Sequence, residues 1–594
     1  MLSQVPTYAF AGTLLCSYFS VVFSQQHSFQ APPLTFSDSE SYQFQRPIHR
    51  VAIIGAGVGG LISYREFLRA GYEVTLYERD EQPGGVWHYT EEVPLNAPVP
   101  NAIPASADYT PCLPPHGVKL PYEVESVDQD PQTLSEQRRA HRAPKPVWSL
   151  LKSNAPAPDQ QIRDWKWPED TPWELPQEMI QRYVRSFASL HGINANDENP
   201  NVFYNTRVEL VEKNYINDTE AGWSLTLKQF VKTGEKSTKA RWWKENFDAV
   251  VIATGRYNSP SVPSISGLSE WVARYPDNIS HSRQYRRPDL YQNKSVLVVG
   301  AAASGAEIGI ELSPFVSKLY VSTRPDKATA PHYPLSFYVP KLPKNTTMIG
   351  EIKRFHPANR ESKTMNQEKI ELANGTIITG VDHIIFSTGF RYTYPFLPQY
   401  LDPTLGPNDT ARDGVPQPLV TDGTHVRSLY LDTFYIEEPT IGFININAGM
   451  QSFVYGEYLA VALASVWKDR AKLPTTKEMW KRYHKHVNEK GGYGKHFQFL
   501  GSQVAHDMIR YFVGWVNEAA IKYGGRQIDG PSAANNEILA IWSLARFGTS
   551  EFNDVTPIGG LLPLANPSWD DSTTKLSWSE MKRQALNNMY RDYW

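Results

Sequence analysis

Arg50-Val51-Ala52-Ile53-Ile54-Gly55-Ala56-Gly57-Val58-Gly59-Gly60 is the stretch on which the fold of this 594-residue chain turns. A short apolar run of buried-strand character leads directly into Gly-x-Gly-x-x-Gly, and the residues through about Ala70 are predicted to form a helix. In that setting the glycines have separate tasks. Gly55 permits a tight turn, Gly57 lets a pyrophosphate approach backbone N–H groups at the helix N-terminus, and Gly60 lets helix and strand pack closely. Ala56, Val58 and Gly59 complete the candidate phosphate loop. A second strand, 72–77, ends at Glu78, 23 residues after Gly55, where a carboxylate is suited to ribose hydroxyls.

The unit repeats. Ser295-Val296-Leu297-Val298-Val299 runs into Gly300-Ala301-Ala302-Ala303-Ser304-Gly305, then a helix through Leu312 and the strand Leu319-Tyr320-Val321. Ala302 replaces the middle glycine and sets a methyl beside the pyrophosphate path. The residue 23 past Gly300 is Thr323, with Ser322 before it and Arg324 after it. Hydroxyls and a guanidinium suit a 2′-phosphate that an acid would repel. The second nucleotide is therefore expected to be NADPH, not NADH, with Gly300, Ala302, Ser304, Gly305, Thr323 and Arg324 as its candidate residues. Two such units imply a flavin enzyme reduced by a nicotinamide cofactor. The expected fold class is α/β, with two Rossmann-like dinucleotide-binding domains, the FAD domain interrupted by the NADPH domain.

Composition removes other classes. Hydrophobic residues are 41% and charged residues 20% of the chain, with a mean hydropathy of -0.44, which excludes a polytopic membrane protein, a coiled coil and a largely disordered chain. The 59 basic and 62 acidic residues leave a net charge of -3, so no broad basic face is offered to nucleic acid. Two cysteines, Cys16 and Cys112, supply neither a Cys-x-x-Cys redox pair nor a Cys-rich metal site, and no metal ligands are assigned. Dithiol chemistry is thereby removed, and O2 is left as the expected electron acceptor.

Further segments narrow the type: Gly84-Gly85-Val86-Trp87, Trp148-Ser149-Leu150-Leu151-Lys152-Ser153-Asn154-Ala155-Pro156, Ala253-Thr254-Gly255, Ser387-Thr388-Gly389-Phe390 and Tyr394-Pro395-Phe396-Leu397. With the two glycine motifs, these closely resemble the flavin-containing monooxygenases from about Arg50 to about Leu473, and most of all the fungal, secondary-metabolism branch. The resemblance implies an FAD-dependent, NADPH- and O2-consuming monooxygenase acting through a C4a-hydroperoxyflavin on a small organic substrate, such as an aromatic polyketide or pigment precursor. It implies that Asn154 hydrogen-bonds the flavin peroxide or the retained NADP+, which makes Asn154 the candidate catalytic residue; an amide donates without releasing a proton. It places Val86, Trp87, Ser153, Val208, Thr254 and Gly255 at the cofactors, with Trp87 on or near the isoalloxazine. Gln451 joins them ahead of the apolar helix 453–467, whose N-terminal dipole could stabilise charge on the flavin.

Departures keep alternatives open. For the family's Phe-x-Gly-x-x-x-His-x-x-x-Tyr/Phe signature, Ile265-Ser266-Gly267 stands for the first half, and His281 to Tyr285 match the second after a longer gap. Related Baeyer–Villiger enzymes usually carry Trp at the position of Tyr285. A Baeyer–Villiger ketone monooxygenase is one alternative; a non-catalytic flavin-fold scaffold in a secreted biosynthetic complex, motivated by Ala302 and Ile265-Ser266-Gly267, is another.

Residues 1–24 are read as a signal peptide, since 8–23 are mostly apolar and Val22 and Ser24 suit the -3 and -1 positions of a cleavage site. No Lys or Arg precedes the run, and Arg46 and Arg50 follow it, which suits instead a membrane anchor with a cytosolic body. Asn-x-Ser/Thr sequons at Asn217, Asn278, Asn293, Asn345, Asn374 and Asn408 permit glycosylation on a secretory route. A secretory or extracellular location, with membrane or secretory-complex association, is the expectation; oligomeric state has no sequence signal. The expected organisation is an FAD domain at 48–258 and 389–520, an NADPH domain at 259–388 and a C-terminal extension at 521–594. Within the first segment, 91–176 carries 16 prolines, which exclude a continuous helix; it reads as an insertion that wraps the surface or lids the flavin cleft, or equally as a solvated loop.

Overall fold

Alternate residues of the strand Arg50–Ile54 face opposite ways, so one strand seeds two cores. Val51 and Ile53 pack among the helices Val58–Arg69 and Ser452–Trp467, whereas Ala52 and Ile54 face a second apolar layer with Val208, Trp223 and Phe247. The computed structural model describes residues 29–97, 99, 101, 103–324, 339–359, 361–406, 408–531, 538 and 583; residues 1–24, read as a signal peptide, and most of 521–594 lie outside them.

Arg50–Ile54 is central in a seven-stranded sheet. Ile441–Phe443, Ala249–Ile252, Arg50–Ile54, Glu73–Tyr77 and Val202–Phe203 run parallel, and Leu429–Tyr430 and Phe434–Tyr435 extend one edge antiparallel. Buried Arg65 ties the two covering helices by ion-pairing with Glu457. The other face is covered by an antiparallel sheet of Tyr122–Ser126, Ser237–Phe247, Thr219–Gly234 and Thr206–Ile216. Its edge strand Tyr122–Ser126 belongs to the Pro-rich stretch, which also forms the helix Pro131–Arg142, begun by Pro131 behind an Asp130 cap and ended by Ala143 at φ 45°.

The second sheet has five parallel strands, in the order Ile279–His281, His383–Phe386, Ser295–Val299, Lys318–Ser322, Thr347–Ile349. The chain crosses between the two sheets twice, and the crossings pair with each other: Ser259–Pro260 lies antiparallel to Phe390–Arg391. After the helices Thr476–Glu489 and Ser502–Tyr523, the chain folds back on the first domain, where Tyr458 donates to the Asp529 carbonyl at 3.0 Å. Among the described residues no helix is long and apolar enough to cross a membrane.

Candidate functional site

The first glycine turn is built for close approach. Gly55 takes φ +105°, and a Cβ there would stand 2.7 Å from the Ala253 carbonyl oxygen. Gly60 is stricter: its Cβ would fall 1.8 Å from the Gly55 carbonyl oxygen, so the helix reaches its place over the sheet only with glycine here. Gly57 precedes the helix with no side-chain cap and faces Gly85, whose Cβ would lie 2.7 Å from Gly57 Cα. The Gly84 N–H donates to the Ala56 carbonyl at 2.9 Å. Val86 and Trp87, both half-buried, follow on this rim, while Thr254 and exposed Gly255 sit at the neighbouring strand end.

Glu78 is buried, and its carboxylate accepts from the N–H groups of Ala56 at 2.7 Å and Asp80 at 2.8 Å. Those bonds fix it at the turn with lone pairs left for hydroxyl donors. Val208 lies beside this segment; its side chain is in the core, and its carbonyl accepts from the Tyr109 hydroxyl at 2.7 Å. At the far side, Gln451 precedes the helix Ser452–Trp467 with no side-chain cap. Just ahead of it, among the described residues, the buried oxygens Asn445 Oδ1 and Asn447 Oδ1 accept no hydrogen bond. A glycine cradle, uncapped helix N-termini and orphaned buried acceptors fit an FAD-sized dinucleotide.

The second turn reproduces the first. A Cβ on Gly300 would meet the Ser387 carbonyl oxygen at 2.7 Å, and one on Gly305 the Gly300 carbonyl oxygen at 1.9 Å. Ala302 precedes its helix at φ -76° and ψ -169°, extended backbone that alanine adopts freely. The Gly300 N–H donates to the Ser322 carbonyl at 2.9 Å, as that of Gly55 does to Tyr77 at 2.8 Å, so Thr323 and Arg324 stand where Glu78 and Arg79 stand. Thr323 is half-buried, Arg324 exposed, and Ser304 half-buried in the first helical turn. Ser322 is turned away, its hydroxyl donating to the Gly350 carbonyl at 2.9 Å.

The segment carrying Asn154 is tied to both domains. Trp148 Nε1–H donates to Glu311 Oε1 at 2.8 Å and the Tyr285 hydroxyl to Glu311 Oε2 at 3.1 Å. Burial pushes the Glu311 carboxyl up to about 7. Ser149 N–H donates to the Arg286 carbonyl at 3.0 Å, and Ser153 N–H to that of Leu175 at 2.8 Å. The Ser153 hydroxyl accepts from Leu175 N–H at 2.9 Å, so this buried serine holds the loop. Asn154, next in sequence, is exposed. His281 sits at the crossing between the sheets: Nε2–H donates to the Gly389 carbonyl at 3.0 Å, Nδ1 accepts from Arg283 N–H at 3.2 Å, and burial pushes its pKa down to about 3.

Sequence reasoning missed Glu311, Arg286 and the charged face of the insertion. Arg79 pairs with Asp108 at 3.0 Å, Arg138 with Glu81 at 2.8 Å and Arg142 with Asp80 at 2.9 Å. Lys145 Nζ lies 3.7 Å from Glu78. The insertion therefore grips residues 78–81, at the end of the second strand, through these ion pairs.

Comparison with known proteins agrees with this geometry. A family model described as "Flavin-binding monooxygenase-like" matches residues 48–96 and 147–329. Flavin-containing monooxygenase iboF of Amanita muscaria is 48% identical over 542 residues, 89% of this chain and 100% of that one. Flavin-containing monooxygenase ustF2 of Aspergillus flavus is 30% identical, covering 79% of this chain and 92% of its own. Among solved structures, S-allyl-L-cysteine S-oxygenase from Allium sativum shares the fold with a TM-score of 0.58 at 19% identity, over 91% of this chain and 98% of that one. Two glycine turns of one geometry, paired chain crossings between them and these relatives place the chain in the flavin-containing monooxygenases, oxidoreductases that use FAD and NADPH.

Proposed function

We propose that this chain oxygenates a small secondary-metabolite precursor in the cleft between its nucleotide domains, with Asn154 as hydrogen-bond donor toward the reacting oxygen. The observation that carries this reading is the pinned 148–153 segment, bonded to Arg286 and Glu311 on one side and to Leu175 on the other, which presents Asn154 exposed. When bound, FAD and NADPH supply electron transfer and O2 activation. The chain's residues do the rest. Gly57 and Ala302 head uncapped helices where phosphates bind, Arg324 selects the 2′-phosphate, and Asn154 donates a hydrogen bond without an acidic proton that would speed loss of H2O2. Similarity to fungal flavin-containing monooxygenases supports the setting.

The features that favoured a non-catalytic scaffold keep their geometry. Ala302 preserves the turn, and Gly267 sits at φ +79° with its Cβ position 2.1 Å from the Phe355 carbonyl oxygen, while Ile265 packs on the same core.

The test is coupling. Asn154→Ala is expected to lower product per NADPH oxidised about tenfold, with H2O2 rising in proportion, because one hydrogen bond to the reacting oxygen is lost. Product and peroxide are measured together on a panel of aromatic polyketides, pigment precursors, amines, thioethers and ketones. Unchanged coupling in Asn154→Ala would overturn the role of Asn154, and lactone or ester products would favour ketone insertion.

A further inference from the structure

Lys495 lies in the loop after the helix Thr476–Glu489, about 170 residues past the NADPH strand Lys318–Ser322, yet its ammonium reaches that domain. Nζ donates to the Thr388 carbonyl at 3.3 Å and to Ser261 Oγ at 3.4 Å. Thr388 flanks the second glycine turn: a Cβ on Gly300 would lie 3.7 Å from Thr388 N and 2.7 Å from the Ser387 carbonyl oxygen. The strand order His383–Phe386, Ser295–Val299, Lys318–Ser322 sets Lys495 on one side of that turn and Arg324 on the other. Burial, then Arg324 and Arg391, push the Lys495 ammonium down, and Asp422 is the opposing carboxylate. Cations that feel one another's charge repel, and a multiply charged anion between them relieves the repulsion. Packing around the ammonium is enough to lower its pKa, yet the Lys495 side chain keeps solvent access, so such an anion can reach it.

We propose that Lys495 binds the pyrophosphate of NADPH from the FAD-domain side of the cleft, while Arg324 binds the 2′-phosphate. This rests on the second glycine turn being the NADPH site. A nucleotide held at once by the Gly300 turn and by Lys495 touches both domains, so its binding favours the closed orientation in which both contacts form. The C-terminal half thereby takes part in nicotinamide-nucleotide binding as well as flavin binding.

Equilibrium dialysis of FAD-loaded protein against NADP+ and NAD+ tests the assignment. Lys495→Gln is expected to weaken both nucleotides by the same factor, about tenfold, with flavin content unchanged. Lys495→Arg restores most of the affinity, whereas Arg324→Gln weakens NADP+ and leaves NAD+ as it was. Unchanged affinity for both nucleotides in Lys495→Gln, a loss confined to NADP+, or loss of flavin with the nucleotide would overturn the proposal. Failure of the unsubstituted protein to bind NADP+ would instead overturn the reading of the second turn on which it rests.

Discussion

Gly60 and Ala302 show how one added methyl has opposite consequences at two positions of one motif. At Gly60 a Cβ would sit 1.8 Å from a backbone carbonyl oxygen that the sheet holds fixed. Gly60→Ala must therefore lift the helix from the strand, and the purified protein is expected to lack the flavin absorption band. At Ala302 the backbone is extended and the methyl already has room, so Ala302→Gly is expected to keep the fold and to bind NADP+ as well or a few-fold tighter in titration. Loss of NADP+ binding in Ala302→Gly would show that the methyl supports the turn. The spacing of the glycines, and of Glu78 and Thr323 behind them, was legible in sequence because each distance is set by one βαβ unit. The loss of Ser322 as a phosphate donor was not, because its acceptor, the Gly350 carbonyl, comes from a later strand connection.

At the scale of elements, the helix Ala303–Leu312 does more than close the second glycine turn. Its Glu311 receives Trp148 and Tyr285, joining the signature tyrosine to the Asn154 segment through one carboxyl group. No local pattern announces this junction, since the three residues are brought together by tertiary packing alone. It titrates near neutrality. The folded pKa of about 7 lies above the ordinary 4.5, so this group's contribution is fully present below pH 4.5 and is lost as pH rises through 7. Allowing for partial exposure, the loss is about 1–2 kcal/mol. Glu311→Gln keeps an acceptor for Trp148 without titrating. The thermal midpoint of the unsubstituted protein, relative to Glu311→Gln, is expected to fall between pH 5 and pH 8; parallel curves would remove Glu311 as the cause. His281 acts with the opposite sign: held near 3 against an ordinary 6.5, it contributes stability that is lost as pH falls through that window.

For the whole molecule, the Pro-rich insertion ties the two nucleotide domains together beside the paired crossings Ser259–Pro260 and Phe390–Arg391. Its prolines correctly excluded a continuous helix, but its contacts depend on partners from every part of the chain. One end grips residues 78–81 through Asp108, Arg138, Arg142 and Lys145. The other reaches the NADPH domain, where Arg283 donates to the Leu95 carbonyl at 2.8 Å and Ala97 and Val99 pack on the core. Between them, buried Arg286 donates to the carbonyls of Thr90 at 3.0 Å, Glu92 at 2.8 Å and Lys145 at 3.1 Å, and also to those of Arg283 and Tyr285. The planar guanidinium alone has enough fixed donors for five acceptors; an ammonium has three. Arg286→Ala leaves buried carbonyls without donors and is expected to cost about 3 kcal/mol. Its signature is local: limited proteolysis should cut within residues 97–146 at protease levels that leave the unsubstituted chain whole, with Arg286→Lys intermediate. An unchanged cleavage pattern in Arg286→Ala would mean that the ion pairs at 78–81 hold the insertion without the arginine.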